Sequence, residues 1–255
     1  MTDFANAVAV VTGGASGLGA ATARALAAAG MRVAVFDLNV DEGTKLAEQL
    51  GGLFCKVDVA NPESVAEGFA KAGEDLGALR VLVNCAGIGP AAKTVSRGAA
   101  HDPAVFGRTL AINLGGTFNC ASQAAAIMAA LDPVGADDAR GVIINTASVA
   151  AFDGQIGQVA YAASKGGVVG MTLPMARDLA HKGIRVCTIA PGLFLTPLLQ
   201  GLPQEAQDSL GKQVPFPPRL GDPSEFAALA LHIVSNPMLN GEVIRLDGAI
   251  RMAPR

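Results

Sequence analysis

The sequence predicts an α/β fold in which a doubly wound parallel sheet of about seven strands carries helices on both faces. Short apolar runs alternate with longer helical patterns along all 255 residues. The runs are continuously apolar rather than alternating, as expected of parallel strands that helices cover on both sides. No linker, repeat or low-complexity stretch interrupts this alternation. Residues 1–255 are therefore predicted to form a single domain.

The predicted elements follow one another in regular order. Strands are expected at residues 7–11, 32–36, 53–57, 80–84, 142–147, 185–190 and 242–246. Helices are expected at residues 20–29, 41–50, 62–76, 103–131, 161–181 and 223–235. Strand–helix–strand units of this kind are right-handed, and their ligands bind beyond the C-terminal ends of the strands. The functional residues should therefore lie where the strands end.

Composition and charge exclude several classes of function. A net charge of −3 and a pI of about 5.6 give no electrostatic reason to expect nucleic acid as a partner. The mean hydropathy is +0.39, but no uninterrupted apolar run reaches the ~18 residues of a membrane span. The N-terminus enters a strand almost at once and leaves no room for a cleavable signal, which predicts a cytoplasmic protein. The four cysteines and three histidines lack metal-ligand spacing, so no metal site is expected.

A glycine-rich turn follows the first predicted strand and makes the predicted sheet Rossmann-like. Glycines between a strand and a helix let the backbone approach a pyrophosphate at the positive end of the helix. The residues expected to contact a dinucleotide are Gly13, Ser16, Gly17, Leu18 and Gly19. The second strand ends at Asp37, where a carboxylate can accept both adenine-ribose hydroxyls and would repel a 2′-phosphate. This position predicts NAD rather than NADP as the cofactor.

The stretch from Gly141 to Leu173 predicts catalytic chemistry. A buried strand delivers Ser148 at its end, and the next helix carries Tyr161 and Lys165, which lie on one helical face because they are four residues apart. A phenol titrates near pH ~10, and a nearby ammonium would favour the phenolate. Ser148 would hydrogen-bond a substrate oxygen while Tyr161 moves the proton. The alternative is a helix whose tyrosine packs on the sheet and whose lysine points to solvent.

These residues resemble the catalytic set of the short-chain dehydrogenase/reductase family. The spacing of Gly13, Gly17 and Gly19 matches the TGxxxGxG form of that family and supports the resemblance independently. The resemblance implies a fourth catalytic residue, Asn113, which would hold a water between the catalytic lysine and solvent. It also implies further cofactor contacts at Asp58, Val59, Cys85, Ala86, Gly87, Pro191, Phe194 and Thr196.

The same resemblance implies a substrate lid over residues 195–220. Leu198 and Leu199 are expected to contact the substrate, together with Ser148 and Tyr161. The leucines of the lid, with Val214 and Phe216, predict an apolar wall that suits an acyl chain or a steroid ring.

Longer segments resemble one branch of the family, the type-2 3-hydroxyacyl-CoA dehydrogenases, also described as 17β-hydroxysteroid dehydrogenases. These segments are GVIINTASVAAF, AYAASKGGVVGMTLPMARDLA, VPFPPRLGDP and NGEVIRLDGAIRM. The likeness weakens over residues 88–107, where Lys93 and Arg97 carry the only positive charges. It implies an NAD-dependent oxidoreductase of fatty acid metabolism that interconverts 3-hydroxyacyl-CoA and 3-oxoacyl-CoA. It also implies a homotetramer in which the 103–131 helix forms contacts.

Three alternatives remain open at this point. A 3-oxoacyl-carrier-protein reductase shares the fold, but it normally uses NADPH, which Asp37 argues against. A hydroxysteroid dehydrogenase would use the same chemistry on a different small molecule. A non-catalytic dinucleotide-binding regulator usually lacks one of the four catalytic residues, whereas this chain retains all four.

Overall fold

The computed structural model describes residue 4 and residues 6–254, without the side chain of Leu198. Seven strands form one parallel sheet: β1 Val8–Thr12, β2 Arg32–Asp37, β3 Leu53–Lys56, β4 Leu79–Asn84, β7 Gly141–Thr146, β8 Ile184–Pro191 and β9 Val243–Leu246. Two short strands, β5 Val95–Ser96 and β6 Ala99–Ala100, form a separate antiparallel hairpin. The predicted doubly wound sheet in a single domain is confirmed.

The strand order explains where a ligand can bind. In space the strands run β3-β2-β1-β4-β7-β8-β9. The chain therefore moves outward in one direction from β1 through β2 to β3, and then returns to place β4 on the other side of β1. Reversal of direction at β1 and β4 opens a crevice outside their C-terminal ends, the usual ligand position in such sheets.

Ten α-helices cover the sheet or its C-terminal edge in the described part of the chain. They are α1 Gly17–Ala28, α2 Val40–Leu50, α3 Pro62–Leu76, α4 Pro103–Leu110, α5 Gly116–Ala129, α6 Ala150–Asp153, α7 Val159–Ala180, α8 Pro197–Gln200, α9 Gln204–Gly211 and α10 Pro223–Ser235. Asn61 accepts hydrogen bonds from the amides of Glu63 and Ser64 at 2.9 and 3.1 Å, and so caps α3. None of the helices in the described ranges has the length and apolar character that a membrane crossing needs.

The prediction of one continuous helix over residues 103–131 is wrong. A π-helical turn, Ala111–Gly115, separates α4 from α5 and carries Asn113. A π-turn widens the helix by one residue and changes the direction of the side chains on it, and such turns are frequent at functional sites. Here the wider turn is accompanied by hydrogen bonds from the Asn113 side chain to Ile88 and Ser164.

The central strand separates two layers of the hydrophobic core. Ala9 and Val11 pack with the layer that contains α1 and α10, whereas Val8 and Val10 pack with the layer that contains α3 and α5. Successive side chains of a strand point to opposite faces, and all four are fully buried. This burial on both faces accounts for the continuously apolar strands and holds the strand ends rigidly beneath the site.

Candidate active site

A cleft of about 700 Å³ opens beyond the C-terminal ends of β1, β4, β7 and β8. This volume lies within the range of small-molecule sites, ~300–1,000 Å³. The predicted site residues that line it are Gly13, Ser16, Gly17, Leu18, Gly19, Asp37, Asp58, Val59, Cys85, Ala86, Gly87, Ser148, Tyr161, Lys165, Pro191, Phe194, Thr196 and Leu199. Asn113 lies behind the cleft wall, and the prediction for the Leu198 side chain falls outside the described part of the structure.

The glycine-rich turn has the close packing that a bound pyrophosphate requires. Gly13 and Gly17 have φ values of 61° and 51°, in the left-handed region that favours glycine. A Cβ on Gly13 would lie 2.7 Å from the backbone of Ala86, and one on Gly19 would collide with the carbonyl oxygen of Gly13. Since α1 begins at Gly17, the loop lies at the positive end of this helix. The loop therefore fits the phosphates of a dinucleotide.

Asp37 lies at the end of β2 with its carboxylate held in place. Its Oδ2 accepts a hydrogen bond from the amide of Ala15 at 3.0 Å, and its Oδ1 accepts one from the amide of Asn39 at 2.9 Å. The first bond ties the carboxylate to the glycine-rich turn. The neighbouring Leu38 is 58% exposed and carries no charge. A ribose bound beside this turn would therefore meet a fixed negative charge.

The turn after β4 is clamped to the end of β1. The hydroxyl of Thr12 accepts hydrogen bonds from the amides of Cys85 and Ala86, both at 3.2 Å. Burial raises the pKa of the Cys85 thiol to about 11, so the group is a neutral thiol at physiological pH. A neutral thiol is a poor nucleophile, so Cys85 contributes a small, unreactive side chain to the cleft wall.

The side chains of Ser148, Tyr161 and Lys165 come together at one side of the cleft. Ser148 follows β7, is buried, and accepts a hydrogen bond from the amide of Ala150 at 3.1 Å. Lys165 is 4% exposed. Its Nζ donates to the carbonyl oxygen of Thr146 at 2.7 Å and lies 5.8 Å from the centre of the Tyr161 ring. The alternative in which the lysine points to solvent is therefore wrong.

The pKa values in this cluster differ from the sequence expectation. Burial lowers the pKa of Lys165 to about 8. Burial raises the pKa of Tyr161, while the Ser148 side chain acts in the opposite direction. The expectation that the ammonium lowers the pKa of Tyr161 is wrong for the protein alone. Loss of solvent around the phenol raises this pKa, and the hydrogen bond with Ser148 opposes the rise only in part.

Asn113 joins three segments behind the cluster. Its Nδ2 donates to the Ile88 carbonyl at 2.8 Å and to Ser164 Oγ at 3.0 Å, and its Oδ1 accepts from the Ile88 amide at 2.8 Å. Ser164, which also donates to the carbonyl of Tyr161 at 2.7 Å, was not among the predicted site residues. Its position three residues after Tyr161 places it on a neighbouring part of the same helical face, and this spacing could have identified it.

The turn after β8 faces the glycine-rich turn across the cleft. The amide of Gly192 donates to the carbonyl of Leu246 at 2.9 Å, and Phe194 is buried. A Cβ on Gly17 would lie 3.3 Å from the ring of Pro197, so the two turns approach each other closely. The two turns therefore form adjoining parts of the cleft wall.

The predicted lid over residues 195–220 contains α8 and α9. Leu199 lines the cleft, but Phe216 is 80% exposed and Val214 is buried away from the cleft. The prediction that Val214 and Phe216 form its apolar wall is therefore wrong, because the chain beyond α9 turns back toward the glycine at position 248. Gln158 and Met252 are among the lining residues that were not predicted as site residues.

No group of three histidine, cysteine or acidic side chains in the described residues is arranged to hold a metal ion. The arrangement offers one hydroxyl, one phenol and one ammonium beside a dinucleotide-sized cleft. Together they can orient an oxygen and move a proton to or from it.

Comparisons with known proteins agree with this geometry. Residues 7–207 match the family model described as short chain dehydrogenase. The chain is 55% identical over 251 residues to 3-hydroxyacyl-CoA dehydrogenase type-2 of Homo sapiens, covering 97% of this chain and 96% of that protein. It is 53% identical over 253 residues to the protein of the same name from Drosophila melanogaster, covering 98% and 99%.

A solved structure gives the same result. The crystal structure of 3-hydroxyacyl-CoA dehydrogenase type-2 from Mycobacterium avium is 44% identical, covers 98% of both chains and superposes with a TM-score of 0.94. The resemblance inferred from the glycine spacing and from Tyr161 and Lys165 is thereby confirmed. The protein is an oxidoreductase, and its chain belongs to the short-chain dehydrogenase/reductase family.

Proposed function

We propose that this protein is an NAD-dependent dehydrogenase that interconverts 3-hydroxyacyl-CoA and 3-oxoacyl-CoA. The observation that carries the proposal is the cluster of Ser148, Tyr161 and Lys165 at the opposite end of one cleft from Asp37. Similarity to relatives named 3-hydroxyacyl-CoA dehydrogenase type-2 over nearly the whole chain supports the choice of substrate.

The proposed chemistry divides between three side chains. When bound, NAD supplies the hydride acceptor. Ser148 hydrogen-bonds the substrate oxygen, and Tyr161 accepts the proton of the alcohol or donates a proton to the ketone. Lys165 has three donor hydrogens, of which one is used by the carbonyl of Thr146. The other two can stabilise the phenolate and hold the nicotinamide ribose.

The raised pKa of Tyr161 determines how the rates of oxidation and reduction should depend on pH. In the protein alone the group is a neutral phenol at pH 7, which suits proton donation to a keto oxygen. Oxidation of an alcohol needs the phenolate instead. We therefore expect the oxidative rate to increase as the pH rises above neutrality, and the reductive rate to fall.

The position of the Asp37 carboxylate supports NAD as the cofactor. Its two hydrogen bonds to backbone amides hold the carboxylate at the end of β2, where it could accept the hydroxyls of an adenine ribose. Among the described residues that line the cleft, the basic ones are Arg108 and Lys165, and Lys165 belongs to the catalytic cluster. A 2′-phosphate would therefore meet the Asp37 carboxylate, which supports NAD over NADP.

We also propose that the enzyme assembles as a closed homotetramer. Phe118 on α5 and Leu173 on α7 are 53% and 43% exposed, and both helices lie on the outside of the sheet. Apolar side chains of this size on outer helices are consistent with symmetric subunit contacts. Light scattering at micromolar concentration should give four times the chain mass, and a stable monomer would contradict the proposal.

A substrate panel tests the proposed function most directly. Straight-chain and branched 3-hydroxyacyl-CoA thioesters, the matching free 3-hydroxy acids, acyl-carrier-protein thioesters and 17β-hydroxysteroids should be assayed with NAD and with NADP. The CoA thioesters with NAD should give the highest kcat/KM, and steroids should react more slowly. Equal kcat/KM for a free acid and its CoA thioester would contradict the assignment.

A further inference from the structure

The C-terminal segment Arg251–Pro254, here called the tail, lies against the loop between Ser148 and Tyr161. The carbonyl oxygen of Ala253 accepts a hydrogen bond from Gln155 Nε2 at 2.9 Å, and that of Pro254 accepts one from the amide of Ile156 at 3.0 Å. The tail is therefore attached to the chain that connects two of the catalytic residues.

An arginine on β9 holds the residue that immediately precedes the tail. Arg245 makes a two-pronged ion pair with Asp153, with Nη2–Oδ2 and Nη1–Oδ1 distances of 2.6 and 3.2 Å. Its Nε donates to Asp247 at 2.8 Å, and its Nη2 donates to the carbonyl of Ile250 at 3.0 Å. One guanidinium thus connects α6, the end of β9 and Ile250, the residue immediately before the tail.

This ion pair is better shielded than an ordinary surface pair. The Arg245 and Asp153 side chains are 20% and 16% exposed, and the guanidinium lies 5.2 Å from the centre of the Phe152 ring. The hydrogen bond from Arg245 lowers the pKa of Asp153 below its usual range. Bidentate arginine–carboxylate pairs fix orientation as well as charge. The pair can therefore determine where the tail lies.

The tail contributes one side chain to the cleft. Met252 lines it, and its amide lies 3.4 Å from Asp153 Oδ2. Gln158, which also lines the cleft, accepts a hydrogen bond from the amide of Gln155 at 2.9 Å. Because the tail contacts the loop between the two catalytic residues, Met252 lies on the reacting side of the cleft rather than at the Asp37 end.

We propose that Met252 forms the outer wall of the acyl-chain part of the cleft and limits chain length, and that Asp153 and Arg245 are positioning residues that hold it there. The inference rests on the proposed function. Met252 is uncharged, flexible and only partly exposed, so it suits contact with a hydrocarbon chain rather than with the phosphates of CoA. Asp153 acts on the substrate only through the tail.

The test compares two thioesters that differ in chain length. We would measure kcat and KM for 3-hydroxybutyryl-CoA and 3-hydroxydecanoyl-CoA, with NAD, for the wild type, Met252→Ala and Asp153→Asn. Met252→Ala should raise the kcat/KM of the long substrate relative to that of the short one by about tenfold. This is the lower end of the discrimination that one methylene gives in a hydrophobic pocket. Asp153→Asn should change the ratio in the same direction through KM, with kcat little affected.

Matched controls separate positioning from folding. Asp75→Asn removes a carboxylate from the exposed Lys71–Asp75 pair on α3 and should leave the chain-length ratio unchanged. Each variant should keep its Kd for NAD within about twofold of the wild type, because no hydrogen bond in the described residues joins the tail to the glycine-rich turn.

Each result has a distinct meaning. An unchanged ratio in Met252→Ala, with normal NAD binding, would overturn the role of Met252. A shifted ratio in Met252→Ala but not in folded Asp153→Asn would overturn the positioning role. If Asp153→Asn does not fold, Met252→Ala still decides whether the wall exists. A wild-type enzyme that oxidises neither thioester would contradict the proposed function itself.

Discussion

Replacing Asp37 by asparagine should shift the cofactor preference from NAD toward NADP. The carboxylate carries one charge, is half-buried, and is held by the amides of Ala15 and Asn39. Two unit charges about 4 Å apart repel by ~1 kcal/mol in bulk water and by ~4 kcal/mol near a protein surface. The wild type should therefore prefer NAD by roughly tenfold to a thousandfold in kcat/KM. Asp37→Asn should narrow that preference by at least about tenfold.

The substitution should also weaken NAD binding itself. An asparagine oxygen can accept from only one of the two amides, and its NH₂ group would face the other as a second donor. Loss of one such hydrogen bond typically costs about 1 kcal/mol and leaves the side chain and the glycine-rich turn less firmly held where NAD would bind. The NAD/NADP ratio is therefore more informative than either kcat/KM alone.

The assay is steady-state kinetics with both cofactors at low and high salt. Since part of the repulsion is screened by ions, the wild-type preference for NAD should decrease as ionic strength rises. Asp58→Asn is the matched control because Asp58 also lines the cleft at a strand end. Loss of the Asp58 carboxylate should change kcat/KM for NAD and for NADP by the same factor and leave the NAD/NADP ratio unchanged. Equal use of NAD and NADP by the wild type would refute the reasoning, as would equal shifts in the two variants.

Three further predictions concern the catalytic cluster and the glycine-rich turn. Tyr161→Phe should lower kcat at least ~100-fold while the Kd for NAD, measured by calorimetry, changes little; near-normal turnover would remove Tyr161 from the mechanism. The pKa of Lys165 is about 8 in the fold and 10.5 ordinarily, so between these values the unfolded chain binds more protons and stability should rise with pH. Guanidinium unfolding should show that the free energy of unfolding of the wild type rises by roughly 3 kcal/mol between pH 8 and pH 10.5, relative to that of Lys165→Met. The same pH dependence in both proteins would contradict this prediction. Gly13→Ala should lower the Tm and weaken NAD binding, because its Cβ would meet Ala86 at 2.7 Å. Gly30→Ala, also at positive φ but with open space around it, should leave NAD binding intact.

The sequence alone determined the features that depend on local pattern. Apolar runs and helical periods predict the strands and helices because each element buries one or both faces with its own repeat. The glycine-rich turn, Asp37 at a strand end, and the spacing of Tyr161 and Lys165 are local as well. Each could therefore be assigned a place at the C-terminal edge of the sheet before any contact was known.

Only the tertiary structure decided the features that join distant segments. The π-helical turn carries the Asn113 side chain, whose hydrogen bonds reach Ile88 and Ser164. The tail reaches the active site because Arg245 meets Asp153, which is 92 residues away in sequence. The pKa of Tyr161 rises because the packed surroundings remove solvent from the phenol. Such contacts and burial depend on how the elements pack, and no repeat within a single element encodes them.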